Sequence, residues 1–127
     1  MTIHQFHSFV KLVRKMHGCQ QDFFLRGRIG AENAMSQAKV LEKKVDQQIR
    51  LFNPQTPTFY EWQPNFLALI KALRMEQTLY FQTRYDSVKM RCKKMESELD
   101  KSFVFLEQNF PNVFIHIETA KQQSLDF

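Results

Sequence analysis

Two stretches of this chain carry the same order of apolar and polar residues. The stretch from Phe9 to Phe52 aligns with the stretch from Phe66 to Leu106 when one gap of three residues is placed near the middle. Seven positions are identical in the alignment: Phe9, Leu12, Gln20, Phe24, Lys39, Glu42 and Asp46 match Phe66, Leu69, Gln77, Phe81, Lys93, Glu96 and Asp100. Because these identities keep their order, duplication of one structural unit is favoured over convergence on a shared helix pattern.

Within each stretch, apolar residues recur three and four positions apart, which is the spacing of an amphipathic helix. One such stripe runs from Phe9 to Phe24 and a second from Met35 to Phe52. The equivalent stripes of the second stretch run from Phe66 to Phe81 and from Val88 to Leu106. None of the four helices could bury its stripe alone, so the core is predicted to form between them.

The expected fold is all-α, a four-helix bundle built from two similar antiparallel helical hairpins in one domain, 1–127. Hairpin one is predicted at about 9–52 and hairpin two at about 66–109. Three glycines and four prolines in 127 residues leave little material for the turns of a many-stranded sheet. At the start of the fourth helix, Asp86 or Ser87 is the predicted cap.

The linker between the hairpins, residues 53–65, contains three prolines and is not predicted to be helical throughout. It also contains Phe59, Tyr60 and Trp62. Two interpretations remain open. The aromatic residues either form a strap that lies over the bundle, or they form a crossover surface that binds a partner or a second copy of the chain.

The tail, residues 110–127, begins with Phe110 and Pro111, and this proline is predicted to end the fourth helix. Its apolar run, 113–117, is too short to classify by periodicity, so a short final helix starting at Pro111 and an extended arm both fit. An apolar arm that no other part of the chain covers is expected to be buried against a second copy. Phe114 is therefore a candidate dimer contact.

Charged residues of the two stretches form a repeated ladder. Residues at equal distance from the turn of an antiparallel hairpin lie at the same level, which places Arg14 opposite Asp46 and Lys71 opposite Asp100. The same counting places His17 near Glu42 and Arg74 near Glu96. The ladder predicts structural ion pairs within each hairpin, individually worth roughly 0–1 kcal/mol if they are exposed.

No catalytic residue, metal ligand or cofactor site is predicted. Neither ladder acid is followed by histidine three residues later, as a dinuclear bundle site requires, and His17 corresponds to an arginine in the other repeat. No nucleophile elbow or phosphate-binding loop occurs. Cys19 and Cys92 form no CxxC pair and are predicted to be free thiols.

The amino-terminal segment, 1–16, is interrupted by five basic or histidine residues and lacks the apolar core of a signal peptide. No apolar run reaches the length of a membrane span. We therefore expect a cytoplasmic location without membrane insertion.

Positive charge is concentrated in the first part of the chain. Residues 1–52 contain nine Lys or Arg and four acids, whereas residues 53–127 contain nine of each. Both short loops of an up-down-up-down bundle emerge at one end, and five basic residues are predicted to gather there: Arg26, Arg28, Arg84, Lys89 and Arg91. Such an end is a candidate surface for nucleic acid phosphates.

Three segments resemble a group of known sequences: Phe9-Val-Lys-Leu-Val-Arg-Lys-Met, Gln20-Gln-Asp-Phe-Phe and Ala38-Lys-Val-Leu-Glu-Lys-Lys-Val-Asp. They are similar to small helical proteins of unknown function from gut Bacteroidetes genomes and their phages or mobile elements. The resemblance implies a helical hairpin and carries no assigned functional residues.

These patterns indicate a non-enzymatic interaction or assembly protein. The expected partner is a second copy or another protein, docked through Phe59, Tyr60, Trp62 or Phe114. The alternative is a nucleic-acid-associated accessory protein of a phage or mobile element that acts through the basic loop end.

Overall fold

The computed structural model describes residues 1–26 and 31–115, without the side chains of residues 23–26, 31, 32 and 34. Four α-helices follow one another: α1 is Ile3–Arg26, α2 is Ala31–Ile49, α3 is Gln63–Thr83 and α4 is Asp86–Asn109. A 3-10 helix, Pro111–Phe114, follows α4, and the described ranges contain no strand. The predicted all-α fold with four helices is confirmed.

The helices pack as two antiparallel hairpins, α1 against α2 and α3 against α4. Their inward-facing stripes meet in one core, as the repeat predicts. The buried apolar residues of this core are Phe6, Phe9, Val10, Val13, Met16, Leu41, Val45, Ile49, Phe52, Phe66, Ile70, Leu73, Leu99, Phe103, Leu106 and Val113. Two predicted stripe residues, Met35 and Phe81, are instead exposed, because they lie near helix ends where fewer neighbours cover them.

Helix α1 begins at Ile3, six residues before the predicted start of the first hairpin at Phe9. Two reciprocal hydrogen bonds define this start. The backbone N–H of Thr2 donates to Oε1 of Gln5 at 2.7 Å, and the backbone N–H of Gln5 donates to Oγ1 of Thr2 at 3.1 Å. This is a capping box, and it satisfies amide groups that have no partner within the first turn of a helix.

The turn between α3 and α4 consists of Arg84 and Tyr85. Arg84 has the left-handed backbone conformation, with φ at 58°, and its N–H donates to the carbonyl of Tyr80 at 2.7 Å, which closes α3. Tyr85 is extended and precedes the first turn of α4. The prediction that Asp86 or Ser87 caps α4 is wrong. Asp86 lies inside the first turn, where its negative charge is favourable near the positive end of the helix dipole.

The segment of residues 53–62, which we call the strap, crosses the end of the bundle between α2 and α3. Gln63, the first residue of α3, is buried and fixes it by accepting a hydrogen bond from the N–H of Phe59 at 2.8 Å and donating one to the carbonyl of Pro57 at 3.0 Å. Pro64 lies in the first turn of α3, where a missing N–H costs nothing. The predicted linker, 53–65, therefore ends three residues early.

After α4, the 3-10 helix buries Val113 in the core, so the short final helix from Pro111 is the correct alternative for residues 111–114. The carbonyl of Ile115 accepts a hydrogen bond from Nζ of Lys11 at 3.0 Å, which ties the tail to α1. The remainder of the predicted tail, 116–127, and the predicted first turn around Gly27 and Gly30 lie outside the described residues.

Candidate functional site

The aromatic residues of the strap face the protein's own core. Phe59, Tyr60 and Trp62 are half-buried, and all three rings lie within 6.1 Å of the fully buried ring of Phe6. Tyr60 and Trp62 also stack on each other with their ring centroids 4.8 Å apart. The apolar faces of these predicted partner-binding residues therefore hold the strap on the bundle, which supports the first of the two interpretations of the linker.

The strap is also joined to α1 by a polar contact. Nε2 of His7 lies 2.7 Å from the hydroxyl of Tyr60. Burial lowers the pKa of His7, with smaller contributions from His4 and Lys11, and burial raises the pKa of Tyr60. Both groups are therefore neutral at pH 7, and the tautomer of the His7 ring sets which of the two groups donates the hydrogen bond.

Phe114, the predicted dimer contact of the tail, is half-buried against the core. The guanidinium carbon of Arg14 lies 4.5 Å from the centre of the Phe114 ring, a cation–π contact. Arg14 also forms an ion pair with Glu107 on α4. The tail ring is therefore covered on one side by α1, and the outer part of the tail lies beyond the described residues.

Two glutamines at equivalent positions of the repeat meet between the hairpins. The side-chain amides of Gln20 and Gln77 exchange two hydrogen bonds of 3.2 Å, one in each direction. Each amide nitrogen also donates to an acid of its own hairpin, Gln20 to Glu42 at 2.9 Å and Gln77 to Glu96 at 3.3 Å. Equivalent residues of the two repeats thus make equivalent hydrogen bonds at this level of the bundle.

Two contacts between ionisable side chains flank the glutamines, and they involve equivalent residues of the two repeats. Arg74 of α3 binds Asp46 of α2 with a two-pronged contact, Nε to Oδ1 at 2.8 Å and Nη2 to Oδ2 at 3.1 Å. In the equivalent place, Nε2 of His17 on α1 lies 2.6 Å from Oδ1 of Asp100 on α4. We call these residues the polar layer: Gln20, Gln77, Glu42, Glu96, Arg74, Asp46, His17 and Asp100.

The predicted pairing within each hairpin is therefore wrong. Asp46 is bound by Arg74 rather than Arg14, and Asp100 is bound by His17 rather than Lys71. Distance from the turn gives the expected level of a residue along the bundle but not the helix that its side chain meets. Each helix has one neighbour in its own hairpin and another across the bundle, and Arg74 and His17 bond to the second. Lys71 is exposed and has no ion-pair partner among the described residues.

The predicted basic loop end is described only in part, because Arg28 and the side chain of Arg26 lie outside the described residues. The guanidinium of Arg84 lies over the rings of Tyr80 and Phe81, at 5.3 and 5.1 Å. Nε of Arg91 forms an ion pair with Glu76 at 3.0 Å, and Lys89 is exposed. A nucleic-acid surface at this end stays a prediction.

The outward side of α3 departs from that of an ordinary solvent-facing helix. On the side opposite the core, α3 carries Ala68, Ala72, Met75 and Leu79, which follow one another at intervals of four, three and four residues. Met75 is 74% exposed, Ala68 and Leu79 are also exposed, and Ala72 is half-buried. We call this row the outer stripe of α3.

The repeat supplies an internal comparison for this stripe. The equivalent positions on α1 are occupied by polar or small residues: Lys11, Lys15, Gly18 and Asp22. The same fold is thus built once with a charged outer face and once with an apolar one, so the fold does not require the outer stripe of α3. The apolar periodicity that predicts the core does not include these outward residues. They are identified by comparing the outward positions of the two repeats.

A groove of about 350 Å³ lies between α3 and α4 and reaches Trp62 of the strap, and no residue of the outer stripe lines it. Its apolar walls include Trp62, Leu69 and Phe105, and Phe105 is exposed. A second cavity of about 560 Å³ lies between the start of α1, the end of α2 and the strap. No residue of the polar layer lines either of these two cavities.

The two cysteines are free, as predicted, and their environments differ. Cys92 is buried, and burial raises the pKa of its thiol, with the nearby charges of Glu96 and Glu76 adding to the shift. Sγ of Cys19 is half-buried and donates to Oε1 of Gln37 at 3.8 Å. A raised pKa keeps the Cys92 thiol protonated at neutral pH. Because the thiolate is the reactive form of cysteine, Cys92 is expected to be unreactive.

Across residues 1–26 and 31–115, no three His, Cys, Asp or Glu residues are grouped so that they could hold a metal ion. In the same part of the chain, no helix has the length and apolar character needed to cross a membrane. Comparison with protein-family models, curated proteins and solved structures finds no match to this chain.

Proposed function

We propose that the protein is a non-enzymatic interaction protein of the cytoplasm that docks a protein partner through the outer stripe of α3. One observation carries the proposal: four outward positions are apolar on α3 and polar or small on α1, although both helices occupy the same place in the repeated fold. The aromatic strap then acts as an internal brace.

Burial of the outer stripe would release a substantial free energy. Fully burying a methionine or leucine side chain contributes roughly 1.5–3 kcal/mol relative to leaving it in water. Met75 is the most exposed of the large apolar residues that the structure describes, so it has the most apolar surface left to bury. Aliphatic side chains in a row along one helix are a common means of docking a second helix.

The arrangement of the ionisable groups also supports a binding role rather than a catalytic one. The ionisable side chains of the polar layer bond to one another between the hairpins, as Arg74 does to Asp46 and His17 does to Asp100. Side chains that are bonded to one another in this way stabilise the hairpin interface.

Site-specific photo-cross-linking tests the proposal. A benzophenone amino acid is placed at position 75 in one variant and at position 18, the equivalent position on α1, in another. A Cβ atom at Gly18 would meet no atom within 4 Å, so the bulky group is accommodated there as well. In the protein's native cells, we expect position 75 to give one discrete protein adduct and position 18 to give none.

Equal labelling from both positions, or no adduct from position 75, would contradict the docking role of the stripe. Circular dichroism of both variants provides the folding control. Because both positions are exposed, we expect their helical signal and melting temperature to match those of the unmodified chain.

A further inference from the structure

We propose that the partner of the outer stripe of α3 is the same stripe of a second copy of this chain, with the two α3 helices packed antiparallel. The inference rests on the proposed docking role of the stripe and adds the identity of the partner and the register of the contact. It follows from the spacing of the stripe and from the sizes of its four side chains.

The four-three-four spacing of Ala68, Ala72, Met75 and Leu79 is the spacing of a coiled-coil seam. When two copies of one helix pack antiparallel around a two-fold axis, each residue i faces residue j of the other copy, and j faces i. An axis that passes between positions 73 and 74 pairs Ala68 with Leu79 of the second copy and Ala72 with Met75 of the second copy. Each pair then occurs twice.

In this register every small side chain faces a large one. Alternating small and large residues across facing positions fills the space between helices without voids. A parallel arrangement would instead place Met75 on Met75 and alanine on alanine, which leaves gaps beside the alanines. The stripe is therefore complementary to itself in the antiparallel orientation and poorly complementary to itself in the parallel one.

Charges beside the stripe do not oppose this contact. The carboxylate of Glu76 is already bound by Arg91 at 3.0 Å, so no unpaired acid is brought into the interface from that position. Lys71, on the other flank, is exposed and has a long aliphatic stem that can lie along apolar surface with its ammonium group in water.

The size of the stripe sets the expected strength of the dimer. Stable interfaces bury about 1,200–2,000 Å² in total, and four side chains from each copy fall below this range. We therefore expect a dissociation constant on the order of micromolar to hundreds of micromolar, with dimer and monomer in exchange.

Disulfide trapping tests both the partner and the register. Two single variants of the full chain, A68C and L79C, are oxidised separately and as an equimolar mixture. In an antiparallel pair, position 68 faces position 79 of the second copy, whereas two copies of the same position lie about 16 Å apart along the helix axis. A disulfide needs Cα atoms within about 7 Å. We expect the mixture to yield at least about tenfold more linked dimer than either variant alone.

Two controls accompany the mixture. The unmodified chain reports on any linkage through Cys19 or Cys92. The equivalent pair on α1, Lys11→Cys mixed with Asp22→Cys, places thiols at the matching positions of the other hairpin, and we expect little or no linked dimer from it. Helical signal and melting temperature of each variant confirm folding.

A linked dimer from A68C alone would show a parallel contact and overturn the register. No excess of linked dimer in the mixture over the α1 pair would overturn self-association. The second result would not overturn the docking role itself, which is tested by the cross-linking comparison of positions 75 and 18. An adduct with a different protein in that comparison would support the docking role and exclude a second copy as the partner.

Discussion

Replacement of Arg74 by alanine is expected to lower the free energy of unfolding by about 2–4 kcal/mol, which corresponds to a fall in melting temperature of roughly 10 °C. The Arg74 side chain is only 12% exposed and bonds to Asp46, Gln77 and Glu42. Its loss would leave two carboxylates near each other without their cation. Removing one partner of a largely buried ion pair costs more than the pair itself contributes, because the remaining charge stays poorly solvated.

A matched control for this variant exists on the surface. Arg91 also binds a carboxylate through its guanidinium, that of Glu76, but its side chain is 49% exposed. We expect R91A to cost about 0–1 kcal/mol when both variants and the unmodified chain are unfolded with urea and followed by circular dichroism. Equal losses for R74A and R91A would mean that the polar layer does not stabilise the contact between the hairpins.

The aromatic packing of the strap leads to a second large effect. Phe6 is fully buried and lies against the rings of Phe52, Phe59, Tyr60 and Trp62. Replacement of Phe6 by alanine is expected to lower the free energy of unfolding by about 3–5 kcal/mol, because the cavity left behind adds to the lost burial of the ring. Chemical denaturation followed by circular dichroism measures this loss.

Fluorescence provides a second, local measurement for the Phe6 variant. Trp62 is the only tryptophan in the chain, so its emission reports on the strap. We expect a red shift in F6A under conditions where the helices remain folded, because the indole loses part of its apolar cover. The exposed ring of Phe81, at the other end of α3 from Trp62, supplies the control, and F81A should cost less than about 1 kcal/mol and leave the emission unchanged. Unchanged emission in F6A would show that the strap is held by other contacts.

The helical architecture could be predicted from the sequence because apolar spacing reports directly on which residues must leave water. Val13, Ile70 and Leu99 lie on predicted stripes and are all fully buried. The start of α1 depends on a different signal, the capping box formed by Thr2 and Gln5, which lies outside the apolar pattern that defined the first hairpin.

Side-chain pairing across the bundle could not be predicted in the same way. Counting residues from a turn gives a level along the helix axis but not the direction in which a charge points. Counting from the turn places Asp46 opposite Arg14, whereas Asp46 bonds to Arg74 of α3 and Arg14 bonds to Glu107 of α4. The glutamine pair differs from the charged pairs in one respect. Gln20 and Gln77, which bond to each other, are identical residues at equivalent positions of the repeat.

The same ambiguity applies to the functional surface. An aromatic cluster in a linker suits either a docking site or an internal brace. The contacts of Phe59, Tyr60 and Trp62 with Phe6 distinguish the two. The outer stripe of α3 was overlooked because alanine, methionine and leucine suit any helix. The stripe stands out only when it is compared with the polar outer face of α1. That comparison requires a structure that shows which positions of each repeat face outward.

The docking surface on α3, with a second copy as its partner, is tested most directly by sedimentation equilibrium of the full chain over concentrations from about 1 to 500 µM. The predicted result is a weight-average mass that rises from 15.2 kDa toward about twice that value, while the double variant A72K/M75K stays at 15.2 kDa and melts at the same temperature. A mass of 15.2 kDa for the unmodified chain at every concentration, or equal self-association of the double variant, would contradict it.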